Sequence, residues 1–180
     1  MAGNMLKKGF LYFFICSFIV SPVYSEDNIE KIGDILQIAI PSTAFVMTFH
    51  LKDDKGRGKF YKSALIASVV TLTLKYAVYD ERPNGNDSHS FVSGHTVAAF
   101  LGASFMQRRY GWKYGLIYIP ASFVGWSRIK SKNHDLDDVE RGAILGIIST
   151  YIFTKHRNKD LHLMPLIKPN TYGLDIAYKW

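Results

Sequence analysis

Ser63-Ala64-Leu65-Ile66-Ala67-Ser68-Val69-Val70 is apolar or small on nearly every face of a helix. A helix without a polar face is either wrapped by other helices or exposed to lipid, so this stretch reads as a core helix or a membrane span. It lies within an apolar segment at residues 60–79. Four others of the same kind run over residues 32–51, 91–106, 114–126 and 143–154, and Gly- or charge-rich connectors separate them. Their lengths suit helices better than strands. The expectation is an all-α bundle of five to six helices, transmembrane in character.

The composition agrees with one domain of 180 residues, 48% hydrophobic and 21% charged. A mean hydropathy of 0.00 hides strong segregation between the apolar runs and the polar connectors. The single cysteine, Cys16, excludes a disulfide within the chain and any multi-thiolate metal site. At the N-terminus, Lys7 and Lys8 precede an apolar run over residues 10–20, then Val23 and Ser25 at the −3 and −1 positions of a cleavage site. Residues 1–25 therefore read as a signal peptide or a first transmembrane helix, and either way residue 26 starts outside the cytoplasm.

The formal charge of +7 invites a nucleic-acid reading, but the basic residues form no single stripe. Instead they crowd alternate connectors: Lys52, Lys55, Arg57, Lys59 and Lys62; Arg108, Arg109 and Lys113; Lys155, His156, Arg157 and Lys159. The intervening connectors, residues 80–90 and 129–140, hold much of the acid. Basicity in every second loop is the positive-inside pattern of a polytopic membrane protein. It sets residues 80–90 and 129–140 outside, in agreement with the N-terminal signal, and excludes nucleic acid as the partner. Against this, the last three segments fall short of the ~20 apolar residues of a span, so a soluble periplasmic bundle is the alternative.

Residues 26–160 form the helical domain and residues 161–180 a tail of another kind. In the tail Leu174, Ile176, Tyr178 and Trp180 alternate with Asp175, Ala177 and Lys179, behind a turn over residues 169–173. That period of two predicts a short C-terminal β-hairpin.

Three polar clusters fall in or beside the two outer connectors. Lys75 and Arg82 are seven residues apart, which on a helix is two turns and one face, with Pro83 as the stop. Ser93, Gly94 and His95 open the third helix, where free backbone N–H groups attract an anion and Gly94 allows close approach. Arg128, after Ser127, ends the fourth helix on the same side. His134 and Asp138, at i and i+4 at the start of the fifth, place a carboxylate against an imidazole and so select its tautomer. Arginine forks and a helix N-terminus suit a tetrahedral oxyanion, and phosphate is its natural form.

At these residues the chain resembles the type 2 phosphatidic acid phosphatase (PAP2) superfamily. The family pattern is Lys-x6-Arg-Pro, then Pro-Ser-Gly-His, then Ser-Arg-x5-His-x3-Asp. Lys75, Arg82 and Pro83 match the first; Ser93, Gly94 and His95 the second; Ser127, Arg128, His134 and Asp138 the third. Val92 departs from the pattern's proline, which removes no reacting group. The resemblance implies a phosphatase in which His134 attacks phosphorus, Asp138 holds its ring and His95 acts as general acid. Lys75, Arg82, Ser93, Gly94 and Arg128 would bind the phosphate, with neither metal nor other cofactor. His89 reads as a loop residue.

A site at the outer membrane boundary suits a phosphorylated lipid: undecaprenyl diphosphate, phosphatidylglycerophosphate, phosphatidate or a lipid A phosphate. The expected setting is the bacterial inner membrane with the site facing the periplasm. A soluble periplasmic acid phosphatase is the second reading, and vanadate-dependent haloperoxidation and a non-catalytic scaffold are weaker ones.

Overall fold

Asp53, Ser93 and Asp135 each stand one residue ahead of a helix and accept a backbone N–H from its first turn, at 2.9 Å from Gly56, 3.4 Å from Thr96 and 2.9 Å from Asp138. These caps divide the chain of the computed structural model into α1 (Glu26–His50), α2 (Asp54–Ala77), α3 (Gly94–Tyr110), a 3-10 turn (Trp112–Ile117), α4 (Tyr118–Lys130) and α5 (Leu136–Phe153). Strands β1 (Leu161–Lys168) and β2 (Thr171–Tyr178) follow. The structure describes residues 26–85, 88–157, 161–168 and 171–178, the last two ranges as backbone alone. The expected N-terminal signal at residues 1–25 lies outside the described residues.

The helices alternate in direction around α3, which contacts α1, α2, α4 and α5 and is buried from Leu101 to Gln107 without a break. Close approach depends on glycine. A Cβ at Gly102 of α3 would lie 2.7 Å from the Pro41 backbone of α1, and one at Gly146 of α5 would lie 2.6 Å from the Val97 carbonyl. Around these contacts pack Phe60 and Phe105, edge to face at 5.0 Å, and a second cluster of Leu36, Ile40, Ala99, Ala121 and Val124.

The outward faces are apolar too. Leu65, Val69, Leu72 and Tyr76 on α2, and Ile144, Ile148 and Ile152 on α5, are exposed at helical spacing, as are Ile35, Ile38 and Val46 on α1. A bundle bathed in water would carry charge there. Among the described helices, Asp27–His50 is the one long and apolar enough to cross a bilayer.

Alternating direction brings the start of α1, the end of α2, the start of α3, the end of α4 and the start of α5 to one end. The basic connectors gather at the other. There Arg109 makes a buried two-bond fork to Asp53, at 2.7 and 2.6 Å, and also donates to the Lys155 carbonyl at 3.0 Å.

Two boundaries differ from the sequence expectation. Helix α2 ends at Ala77, with Val78 extended, so Arg82 does not share a helical face with Lys75. The chain instead loops out and returns, with Ser90 N–H donating to the Asp80 carbonyl at 2.9 Å. Helix α5 begins at Leu136, because Asp135 and Asp138 form a reciprocal capping box ahead of the apolar run. His134 thus precedes the helix rather than riding on it. The hairpin is present, from Leu161↔Tyr178 to Lys168↔Thr171, but β2 already includes Gly173, which was expected in the turn.

Candidate active site

Helix polarity carries Lys75, Ser93, His95, Arg128, His134 and Asp138 to the same end, with Arg82 in the loop above α2. His134 and Asp138 are almost completely buried, and His134 Nδ1 lies 3.0 Å from Asp138 Oδ2. With a carboxylate facing Nδ1, that nitrogen carries the proton and Nε2 keeps its lone pair.

Asp138 is the node of the cluster. Its Oδ2 also accepts the Ser90 hydroxyl, and Ser90 Oγ stands 3.1 Å from His134 Nδ1. Its Oδ1 accepts Arg141 Nη1 at 3.2 Å, and Arg141 further donates to the Phe91 carbonyl at 3.1 Å. Fully buried and so often paired, the carboxylate has both a fixed position and a fixed acceptor role.

His95 sits one residue inside α3. Its Nε2 lies 3.2 Å from Asp34 Oδ1 on α1, and the same oxygen is 3.0 Å from Arg128 Nη1. Arg128 is buried and donates to the Glu30 carbonyl at 2.9 Å, while Asn133 donates to the Glu30 carboxylate at 2.7 Å. The Ser93 hydroxyl accepts from Thr96 and caps α3, which leaves the first-turn N–H of Gly94 at the helix mouth.

Electrostatics separate the two imidazoles. Burial pushes His134 below the ordinary histidine range; Asp138 opposes this, and the charges of Lys75 and Arg82 add to it. Burial, followed by the Arg128 charge, lowers His95 to about 4, with Asp34 opposing and His134 adding. The fields of Lys75, Arg82 and Arg128 thus converge on these rings, a place prepared for an anion.

Ser90, Arg141, Asp34, Glu30 and Asn133 carry no role in the sequence reading. Ser90 and Asn133 lie inside the two outer connectors, residues 80–90 and 129–140. Arg141 has a legible signal, since i+3 from Asp138 is the same helical face. Asp34 and Glu30 reach the site from far along the chain and leave no such trace. His89, read as a loop residue, stacks edge-on to Tyr76 at 5.2 Å.

Known proteins bear on this arrangement. Over 170 residues the chain is 28% identical to a lipid A 4'-phosphatase of Helicobacter pylori, covering 84% of this chain and 85% of that one. Over 106 residues it is 35% identical to a lipid A 1-phosphatase of Porphyromonas gingivalis, covering 52% of this chain and 24% of that longer one. The crystal structure of Aquifex aeolicus LpxE has the same fold, with a TM-score of 0.62 at 20% identity over 79% of this chain and 92% of that one. The profile of the PAP2 superfamily matches residues 47–161, a span that includes all three motifs, and the chain belongs to that superfamily.

Proposed function

We propose that this chain is a membrane-associated phosphatase that removes phosphate from the sugar headgroup of lipid A through a phosphohistidine at His134. The observation that carries the reading is the His134–Asp138 pair. Because Asp138 accepts a hydrogen bond from Nδ1–H, Nε2 keeps its lone pair and is the nucleophile, and the ring is neutral at physiological pH.

In the first half-reaction the Nε2–P bond forms and the P–O bond to the sugar breaks, while His95 gives its proton to the leaving oxygen. In the second, water bonds to phosphorus, the N–P bond breaks and His95 takes the proton that water gives up. Lys75, Arg82, Arg128, the Ser93 hydroxyl and the Gly94 N–H stabilise the equatorial oxygens, whose charge is held throughout. His95 is mostly neutral in the empty site, and an arriving phosphate dianion raises its proton affinity. Binding therefore arms the acid.

The lipid part of the reading rests on the apolar coat of α1, α2 and α5 and on the names of the two bacterial relatives. The basic end opposite the site favours an inner-membrane orientation with the site toward the periplasm. The test is phosphate release from bis-phosphorylated lipid A by the purified chain in detergent, with mass spectrometry of the product at both positions. Preference for lipid A over p-nitrophenyl phosphate, dependent on detergent, is the expected result. Equal hydrolysis of the small ester without detergent, with lipid A untouched, would establish a soluble-substrate acid phosphatase instead.

A further inference from the structure

Each imidazole at the site has its own carboxylate. Asp138 faces His134, and Asp34 faces His95 with Oδ1 at 3.2 Å from Nε2. Asp34 lies on α1, outside all three motifs. Its placement depends on Gly33, where a Cβ would fall 2.1 Å from Ser127 Oγ, so α1 reaches α4 because position 33 has no side chain. One turn earlier, Glu30 anchors the same stretch to Arg128 and Asn133.

We propose that Asp34 is the positioning residue of His95: its carboxylate, set against Nε2 as a charge contact at 3.2 Å, orients the ring and leaves Nδ1 to donate to the leaving oxygen. The inference rests on the phosphohistidine reading, in which His95 must lose and regain a proton. The groups facing the ring come from three sides: Asp34 on α1, Arg128 on α4 and His134 ahead of α5, with Lys75 and Arg82 adding positive charge on the His134 side. Burial, Arg128 and His134 all disfavour the imidazolium, and Asp34 favours it. Without that carboxylate, bound phosphate alone would have to charge the ring.

The geometry also defines the rival. Asp34 Oδ1 contacts His95 and Arg128 together, as a phosphoryl oxygen would, so it could instead be an occupant that substrate displaces. The two roles have opposite consequences. An occupant, once removed, lets phosphate bind more tightly and costs no turnover. A positioning residue, once removed, costs turnover and shifts the pH profile.

The test compares Asp34→Asn with wild type, with Asp34→Ser as the second uncharged variant should the first fail to fold and Asp34→Glu as the conservative rescue. Turnover is measured on whichever of lipid A and p-nitrophenyl phosphate the wild type hydrolyses, over about pH 5–9. Histidine NMR titration with saturating inorganic phosphate reads His95 without any turnover, so a wild type inactive on both substrates would sink the lipid A reading and still leave Asp34 tested. We expect kcat to fall about tenfold or more, with the basic limb about one pH unit lower and KM little changed. The His95 titration moves down in the uncharged variants and Asp34→Glu restores both. Tighter phosphate inhibition with undiminished kcat, or an unmoved His95 titration, would overturn the proposal.

Discussion

The Ser93 backbone N–H donates to the Asp138 backbone carbonyl at 3.1 Å, tying the cap of α3 to the first turn of α5. Two motifs forty-odd residues apart are thus joined main chain to main chain. Their side chains then need little adjustment to meet: the Asp138 carboxylate turns to His134, and Ser93 presents the mouth of α3. The alignment of the His134–Asp138 pair with the mouth of α3 is a backbone property.

Asp138→Asn should keep this main-chain bond and lose the carboxylate. An amide still accepts from Nδ1–H through its oxygen, but the amide can flip and carries no charge for the imidazolium-like phosphohistidine. The expected loss in kcat is about 10³–10⁴-fold, as for the corresponding change in a Ser-His-Asp site. Phosphate release by the folded variant, assayed below its own thermal transition, checks it, and activity within about tenfold of wild type would remove Asp138 from the ring-orienting role.

The lowered proton affinity of His134 has a definite sign in the pH profile. A nucleophilic imidazole must be neutral, so activity is lost as pH falls through its folded value. Because burial sets that value below the ordinary 6.5, protonation of His134 should cost kcat/KM nothing as pH drops to 6.5, and the acid-side loss it causes begins only beneath that value. Stability follows the same sign. The unfolded chain binds the proton first, so the contribution of neutral His134 is full above 6.5 and shrinks below it. A pH series of kcat/KM on one substrate measures the limb.

Asp53 and Arg109 predict the largest stability effect away from the site. Both are buried, and removing either partner strands a charge, at a cost of about 3–5 kcal/mol. Asp53→Asn and Arg109→Met should each lower the unfolding temperature in detergent, while the double variant regains part of the loss. Burial pushes the Asp53 carboxyl up, but the Arg109 hydrogen bonds and the Gly56 N–H more than offset this and leave it below the usual carboxylate value. The contribution is therefore full above that value and is lost as acid pH falls through the depressed one. Equal stability of wild type and single variants at neutral pH would contradict the account.

Glycine positions offer a contrast of sign. Gly146→Ala forces a Cβ against the Val97 carbonyl at 2.6 Å, and Gly102→Ala against the Pro41 backbone at 2.7 Å. Backbone cannot yield as a side-chain tip can, so each should cost about 1–3 kcal/mol. Gly58, inside α2 with nothing within 4 Å of its Cβ position, should gain roughly 0.5–1 kcal/mol as alanine. Thermal unfolding of the three variants decides, and destabilisation at Gly58 would refute the helix-propensity argument.

Motif spacing made the polar cluster legible, since Lys75, Ser93, His95, Arg128, His134 and Asp138 all arrive at one end. What was misread was local. A spacing of seven suggested one helical face for Lys75 and Arg82, yet Val78 is extended and the intervening chain forms a loop closed by the Asp80↔His89 bridge. The start of α5 was hidden because Asp138 serves twice, in the capping box and against His134. Buried Ser104, Gln107, Arg109, Ser149 and Thr150 lower the hydropathy of α3 and α5 without meeting solvent, so apolar length alone understated how deeply these helices pack. Asp34 was invisible for a different reason, because its partners are set by helix packing and by the missing side chain of Gly33.

Pro41 gives α1 a fulcrum. Proline cannot donate the helical hydrogen bond to residue 37, and Gly102 of α3 is pressed against it. Asp34 lies seven residues away, a lever of roughly 10 Å at 1.5 Å rise per residue. A bend of about 6° at that point would carry the carboxylate some 1 Å, about a third of the 3.2 Å that separates it from His95 Nε2. The distance from Asp34 to His95 is thus set by the inclination of a helix whose far half presents its apolar face outward, and a tilt imposed along that half changes that distance.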